Sequence, residues 1–249
     1  MGIEPISVKH NAQQIGQLTT PNRNQNTARQ SSKVCEKCKS RIADGLLGLL
    51  CHICQRKIQY ESLPPDEKRK LQLEVVPERY IDAEITDLSA ALQKEVKGET
   101  NTGILLWGAA GVGKTYTLSA LARRHISQGY IVKRIHYEVM CLKLRDTFNP
   151  KATQTEWSII EPILNCDKLY IEDVGTGKSI GKAESDFSLR TFLVLLDMRM
   201  ECCRPTFITS NKSVENLSDS FDSRVGDRLR TFQVIKLGGK SKRKTNESS

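Results

Sequence analysis

"TGILLWGAAGVGKTYTLSALARRHISQGY", residues 102–130, changes texture twice, and its reading decides the fold. Gly103 to Trp107 is a short apolar run of strand length. Leu118, Leu121, Ala122 and Ile126 recur at helical spacing across 115–127, and Gly129 is a stop signal. Between them stands G-x4-G-K-T: Gly108, Gly113, Lys114 and Thr115. In a strand–loop–helix setting this is a P-loop. Its backbone, from Gly108 through Ala109, Ala110, Gly111, Val112 and Gly113 to Lys114, Thr115 and Tyr116, is expected to wrap N–H groups around phosphates where side chains would collide. The helix starting near Lys114 points its positive end at the same anion. ATP with magnesium is the expected ligand: Lys114 reaches the terminal phosphates and the Thr115 hydroxyl ligates Mg2+.

Such a sheet needs a second strand whose end supplies a carboxylate to the magnesium shell, and "KLYIEDVG", residues 168–175, has that form. Glu172, closing the strand, is assigned to the metal, often through water. Asp173 is assigned to orienting or deprotonating the water that attacks the γ-phosphate. A pair of exposed strand-end acids is the plain alternative.

Working outward, 249 residues hold one sizeable domain and a small accessory module. No apolar stretch approaches the roughly 20 residues that cross a bilayer. The amino terminus lacks a basic segment followed by an apolar core, and Ile6 occupies the position that myristoylation gives to Ser or Thr. A cytoplasmic protein with no membrane partner is expected. Lys plus Arg outnumber Asp plus Glu by 38 to 29, and residues 1–60 carry nine basic against three acidic residues. That balance favours polyanionic partners such as nucleic acid, or merely a solvated surface. Residues 1–33 are polar and aperiodic from Val8 onward and are expected to be disordered. No repeat is evident at solenoid periods.

"CEKCKSRIADGLLGLLCHICQRK" places Cys35 and Cys38 in one C-x2-C and Cys51 and Cys54 in another, twelve residues apart. Two such knuckles complete a tetrahedral S4 site, for which zinc is the expected occupant in a module spanning 34–58. An iron–sulfur cluster can use the same thiolates. His52 is read as a bystander and LLGLL as a small core or a partner-facing patch. Lys37, Lys39, Arg41, Arg56 and Lys57 surround the knuckles, suiting phosphate contact or protein docking. Cys141, Cys166, Cys202 and Cys203 lack ligand spacing and are read as small core hydrophobes. "QYESLPPDEKRK" has the composition of a linker, placed at 59–74.

Residues 75–243 resemble the DnaC/IstB-like branch of AAA+ ATPases, which includes helicase loaders. "VPERYIDAEITDL" is similar to the family's segment near the adenine, and "LLDMRMECCRPTFITSN" to the helix and strand that lead to the sensor 1 asparagine, here Asn211. "SRVGDRLR" resembles the arginine-finger segment, making Arg228 the finger and Arg224 its companion. "KLGGKSKR" is similar to the turn bringing in the sensor 2 arginine, for which Arg243 is the match, although Lys242 stands where the family usually has an aromatic. A flexible tail then occupies 244–249. The family typically shows Asp-Glu or Asp-Asp where this chain has Glu172-Asp173, so the metal-side acid is one methylene longer. A displacement on the order of 1 Å costs roughly a hundredfold in rate. Slow hydrolysis with near-normal Mg-ATP binding is therefore expected.

The resemblance implies an ATPase that loads a replicative helicase onto DNA, touches single-stranded DNA and self-associates through a trans-acting finger. An IstB-like transposition helper shares this core but usually lacks a zinc module. A zinc-dependent single-strand-binding protein with a weakly active P-loop is the reading from another class; a small-molecule kinase fits Asn211 and Arg228 poorly. The predicted architecture is α/β: strands near 103–107, 131–136, 168–172, 205–209 and 232–236 alternate with helices, giving a parallel three-layer sheet with ATP at the strands' carboxyl ends.

Overall fold

The computed structural model describes residues 34–41, 50–97, 102–175 and 186–242. The expected tails at 1–33 and 244–249, Arg243, and most of the LLGLL run lie outside the described residues. Five strands form the sheet: β1 (Gly103–Trp107), β2 (Val132–His136), β3 (Lys168–Glu172), β4 (Thr206–Ser210) and β5 (Gln233–Lys236). They pair in parallel in the order β2-β3-β4-β1-β5. β1, β3 and β4 are buried along almost their whole length, as parallel strands covered on both faces must be.

Helices in chain order are α1 (His52–Ser62), α2 (Pro65–Leu73), α3 (Ala90–Lys97), α4 (Lys114–Ser127), α5 (Tyr137–Asp146), α6 (Glu156–Asn165), α7 (Asp186–Glu201), α8 (Val214–Ser220) and α9 (Ser223–Arg230). Strand alternation sends Ile104 and Leu106 to one face and Leu105 to the other. On the first face, Leu118, Leu121 and Ala122 of α4 pack with Val76, Ile81, Tyr170, Phe207 and Ile235. On the second, helices α5 to α9 bury Tyr137, Met140, Phe192, Leu196, Leu217 and Leu229 against Leu169, Ile171 and Ile208. The result is three layers, as the alternation of strands and helices predicts.

Two expectations change. The stretch read as a linker is helical through α1 and α2, and Pro65 opens α2 at a position where a missing N–H costs nothing. Of the four cysteines read as core, Cys141 and Cys166 are buried but Cys202 and Cys203 are exposed, in the turn just after α7.

The cysteine module is docked on the core, at the amino ends of the strands. Arg56 donates from Nε to the Gly129 carbonyl at 2.7 Å and from Nη2 to Asp167 Oδ2 at 2.7 Å. The same carboxylate oxygen accepts the Ile131 N–H at 2.7 Å. Arg41 donates to the Tyr130 hydroxyl at 2.8 Å, with its guanidinium 5.7 Å from that ring's centre. Gly129, at φ +86°, makes the approach possible, because a Cβ there would lie 2.4 Å from the Ile53 carbonyl oxygen. Arg41 and Arg56, read from sequence as facing phosphate or a partner, thus face the chain's own α/β core.

Candidate nucleotide site and cysteine cluster

The carboxyl ends of β1, β3 and β4 converge on a cavity of about 350 Å³ lined by Gly111, Gly113, Lys114, Thr115, Asp173 and Asn211, with Arg79, Tyr80, Asp87, Leu88, Ala110, Tyr116 and Lys242 completing the wall. Gly113, at φ +106°, precedes the first residue of α4 in a left-handed conformation that turns the loop into the helix. Lys114 is 6% exposed, and its ammonium donates to the carbonyls of Gly108 at 2.7 Å and Ala109 at 2.8 Å and to Asn211 Oδ1 at 2.6 Å. The P-loop lysine and the asparagine just beyond β4, 97 residues apart in sequence, are thereby in direct contact.

Each acid at the end of β3 has a basic partner on neighbouring β2. Glu172 Oε2 accepts from Arg134 Nε at 3.0 Å and lies 2.7 Å from Nη2, with both side chains largely buried. Glu172 Oε1 is buried and has no hydrogen-bond partner. Asp173 Oδ2 lies 3.2 Å from His136 Nε2, and its backbone N–H donates to Thr209 Oγ1 at 3.0 Å. Asp173 adopts φ +54° and lines the cavity, whereas Glu172 stands one position back and is not part of the wall.

The 75–88 segment supplies the far wall. Arg79 stacks on Tyr80 at 5.5 Å, Tyr80 meets Tyr116 edge-on, and the Tyr116 hydroxyl donates to Asp87. That hydrogen bond holds the Asp87 carboxyl below its usual range and pushes the Tyr116 hydroxyl up. The carboxyl-terminal turn closes over the loop, with the Lys242 N–H donating to the Gly111 carbonyl at 2.9 Å.

The finger candidates lie elsewhere on the surface, both ion-paired within the chain. Arg228 contacts Asp197 at 2.8 and 3.2 Å, and Arg224 contacts Asp222 at 3.0 Å. These carboxylates hold both guanidinium groups above their ordinary pKa.

The Sγ atoms of Cys35, Cys38, Cys51 and Cys54 lie within 4.8 Å of one another. Cys51 caps α1 and Cys54 lies in its first turn. A hydrogen bond from Ser40 lowers the Cys38 thiol to about 5, and burial pushes Cys54 up to about 12. Four gathered sulfurs fit one soft tetrahedral cation. The other site fits a triphosphate with a hard cation: a glycine loop meets a helix amino terminus, and the oxygen-bearing side chains of Thr115 and Asp173 line the same cavity.

Sequence reasoning singled out the loop, Asp173 and Asn211, which the fold brings to one cavity, and Glu172, which stands one position behind its wall. It missed Arg134, His136 and Asp87, and it did not foresee the contact of Lys242 with the loop. Only "VPERYIDAEITDL" carried a signal, through its resemblance; the strand partners of the acids depend on β2–β3 register, which no local motif reports.

Comparison with known proteins agrees with this geometry. The replicative helicase loader DnaC of Escherichia coli strain K12 is 25% identical over 150 residues, 60% of this chain and 59% of that protein. The chain thus spans about three-fifths of the length of these curated relatives. The crystal structure of DnaI superimposes with a TM-score of 0.57 at 22% identity, covering 70% of this chain and all of that one. That of the DnaC helicase loader gives 0.54 at 17% identity, covering 65% and 99%. Both show the shared fold. The family described as IstB-like ATP binding protein matches residues 81–249, and with it this chain belongs to the DnaC/IstB-like family of AAA+ proteins.

Proposed function

We infer that the protein is an ATP-switched, DnaC-like loader that delivers a replicative helicase to DNA. The observation that carries the reading is the Lys114–Asn211 contact, which joins the phosphate loop to the tip of β4 beside Asp173.

The chemistry follows from the side chains. Lys114, now held by loop carbonyls, exchanges them for phosphate oxygens. Asn211 spends its oxygen on Lys114, so its amide N–H groups remain to grip the γ-phosphate or the attacking water. Thr115 would hold magnesium, with Glu172 acting on it through water, and the ion would supply positive charge to the bound phosphates. Asp173, oriented by His136, takes the proton from the attacking water. Arg228 exchanges Asp197 for the nucleotide of a neighbouring protomer, with Arg224 as its companion and Arg243 as the sensor 2 match. The cysteine module binds zinc and offers Lys37 and Lys39 to the helicase, while basic loops touch single-stranded DNA.

Glu172→Gln is expected to weaken magnesium-dependent ATP binding, and Asp173→Asn to spare binding and abolish turnover. The reverse pattern overturns the two roles. Arg228→Ala is expected to lower turnover of the assembled protein about a thousandfold at unchanged ATP affinity. The reading as a whole is tested by co-purification from the native cell with the partner identified, alongside ATP titration of the zinc-loaded protein. Recovery of a replicative helicase in a nucleotide-dependent manner supports it; no measurable affinity for Mg-ATP removes it.

A further inference from the structure

Arg134 sits on β2 with its side chain 8% exposed, and its guanidinium joins three parts of the site. Nε donates to Glu172 Oε2 at 3.0 Å, and Nη2 lies 2.7 Å from the same oxygen as an ion pair without a hydrogen bond. Nη1 donates to Ser119 Oγ at 3.1 Å, and Ser119 in turn donates to the Thr115 carbonyl at 2.8 Å. Nη1 also lies 3.5 Å from the Val75 carbonyl, where the 75–88 segment begins. Glu172 and Thr115, on separate elements, are thus tied to one rigid planar cation. Because Arg134 occupies Oε2 alone, Oε1 is left buried and without a hydrogen-bond partner. A lone buried ion pair would not need the connection through Ser119 to the first turn of α4.

We propose that Arg134 is a positioning residue for magnesium: it fixes the Glu172 carboxylate just behind the cavity wall, where it would act on the cation through water, and ties it to the first turn of α4 that carries Thr115. The proposal rests on the assignment of Glu172 and Thr115 above. Groups that orient metal ligands typically change metal affinity by about 10- to 100-fold when removed. A planar fork that grips two partners is not replaced by an ammonium, which holds one.

The test measures ATP affinity as a function of magnesium, and again in EDTA, for the full chain and for Arg134→Gln, Arg134→Lys, Glu172→Gln and the Arg134→Gln/Glu172→Gln pair. Arg134→Gln is expected to raise the magnesium needed for half-maximal ATP binding about tenfold while leaving affinity in EDTA unchanged. Arg134→Lys gives a smaller shift of the same sign, and decides the matter if the glutamine variant does not fold. In the Glu172→Gln background Arg134→Gln adds nothing, since the group it positions is gone. A normal magnesium requirement in both foldable Arg134 variants overturns the proposal, as does a shift that adds in full to that of Glu172→Gln. Should Glu172→Gln itself leave the requirement unchanged, the fault lies in the metal assignment and not in the link between the two residues. A purely structural Arg134 would lower thermal stability without moving the magnesium midpoint.

Discussion

Two buried cations, one at each end of the sheet, are handled by the same chemistry to different ends. At the amino ends of the strands, Arg199 is 1% exposed and donates to the carbonyls of Ile163, Leu164, Cys166 and Pro205 and to the Thr206 hydroxyl. Burial pulls its guanidinium below the usual range, and the ring of oxygens offsets that cost. At the carboxyl ends, Lys114 is also capped by carbonyls, but these belong to a loop that borders a cavity. Arg199 is stitched to elements that cannot part without unfolding. Lys114 is parked on partners that a phosphate can replace. The contrast separates a staple from a receptor better than charge or burial does.

Breaking the first end should have the larger effect. Arg199→Ala orphans several buried carbonyls and leaves a void, so a loss of about 4 kcal/mol of stability is expected in denaturant titration. ATP affinity of the folded fraction should be unchanged. Lys114→Ala should do the reverse: a fall in ATP affinity of about a hundredfold by calorimetric titration, with nearly normal stability. A Lys114 variant that melts early, or an Arg199 variant that loses ATP first, would erase the distinction.

The cysteine module sharpens the same comparison, since it clamps the amino end through Arg41 and Arg56. Stripping the zinc proposed for it with a chelator, or the substitution Arg56→Ala, is expected to lower the melting temperature by roughly 5 °C, equivalent to about 2 kcal/mol. Faster amide exchange should follow at Gly129 to Ile131. An unchanged melting curve would mean that the module rides on the core without supporting it. The smallest effect belongs to the cavity wall. Tyr116 depresses the Asp87 carboxyl, so its contribution is present above the ordinary carboxylate range and is lost as pH falls through it. Tyr116→Phe should lower the neutral plateau of the stability curve slightly and shallow its acid limb, with stability below the carboxylate range unchanged.

Much of this was legible in the sequence, for physical reasons that vary along the chain. GILLW, KLYIE and TFITS read as strands because parallel strands are apolar on both faces, and the P-loop announces itself because only glycines permit its turns. The four clustered cysteines were legible from spacing alone. The helix through Pro65 was not, because proline marks both linkers and helix starts. Nor were the partners of Glu172 and Asp173: Arg134 and His136 look like ordinary strand polarity until β2 is laid beside β3 in register. Cys202 and Cys203 resembled core residues, yet α7 ends just before them and exposes both.

The left-handed backbone at residue 173 chooses among acids. Asp and Asn are several-fold enriched in that region, and glutamate does not share their short side chain, which bonds to its own backbone. A chain that bends there favours the shorter carboxylate second, which gives the inverted Glu-Asp order a conformational origin alongside any catalytic one. Because asparagine suits the same bend, Asp173→Asn removes a charge while keeping the corner.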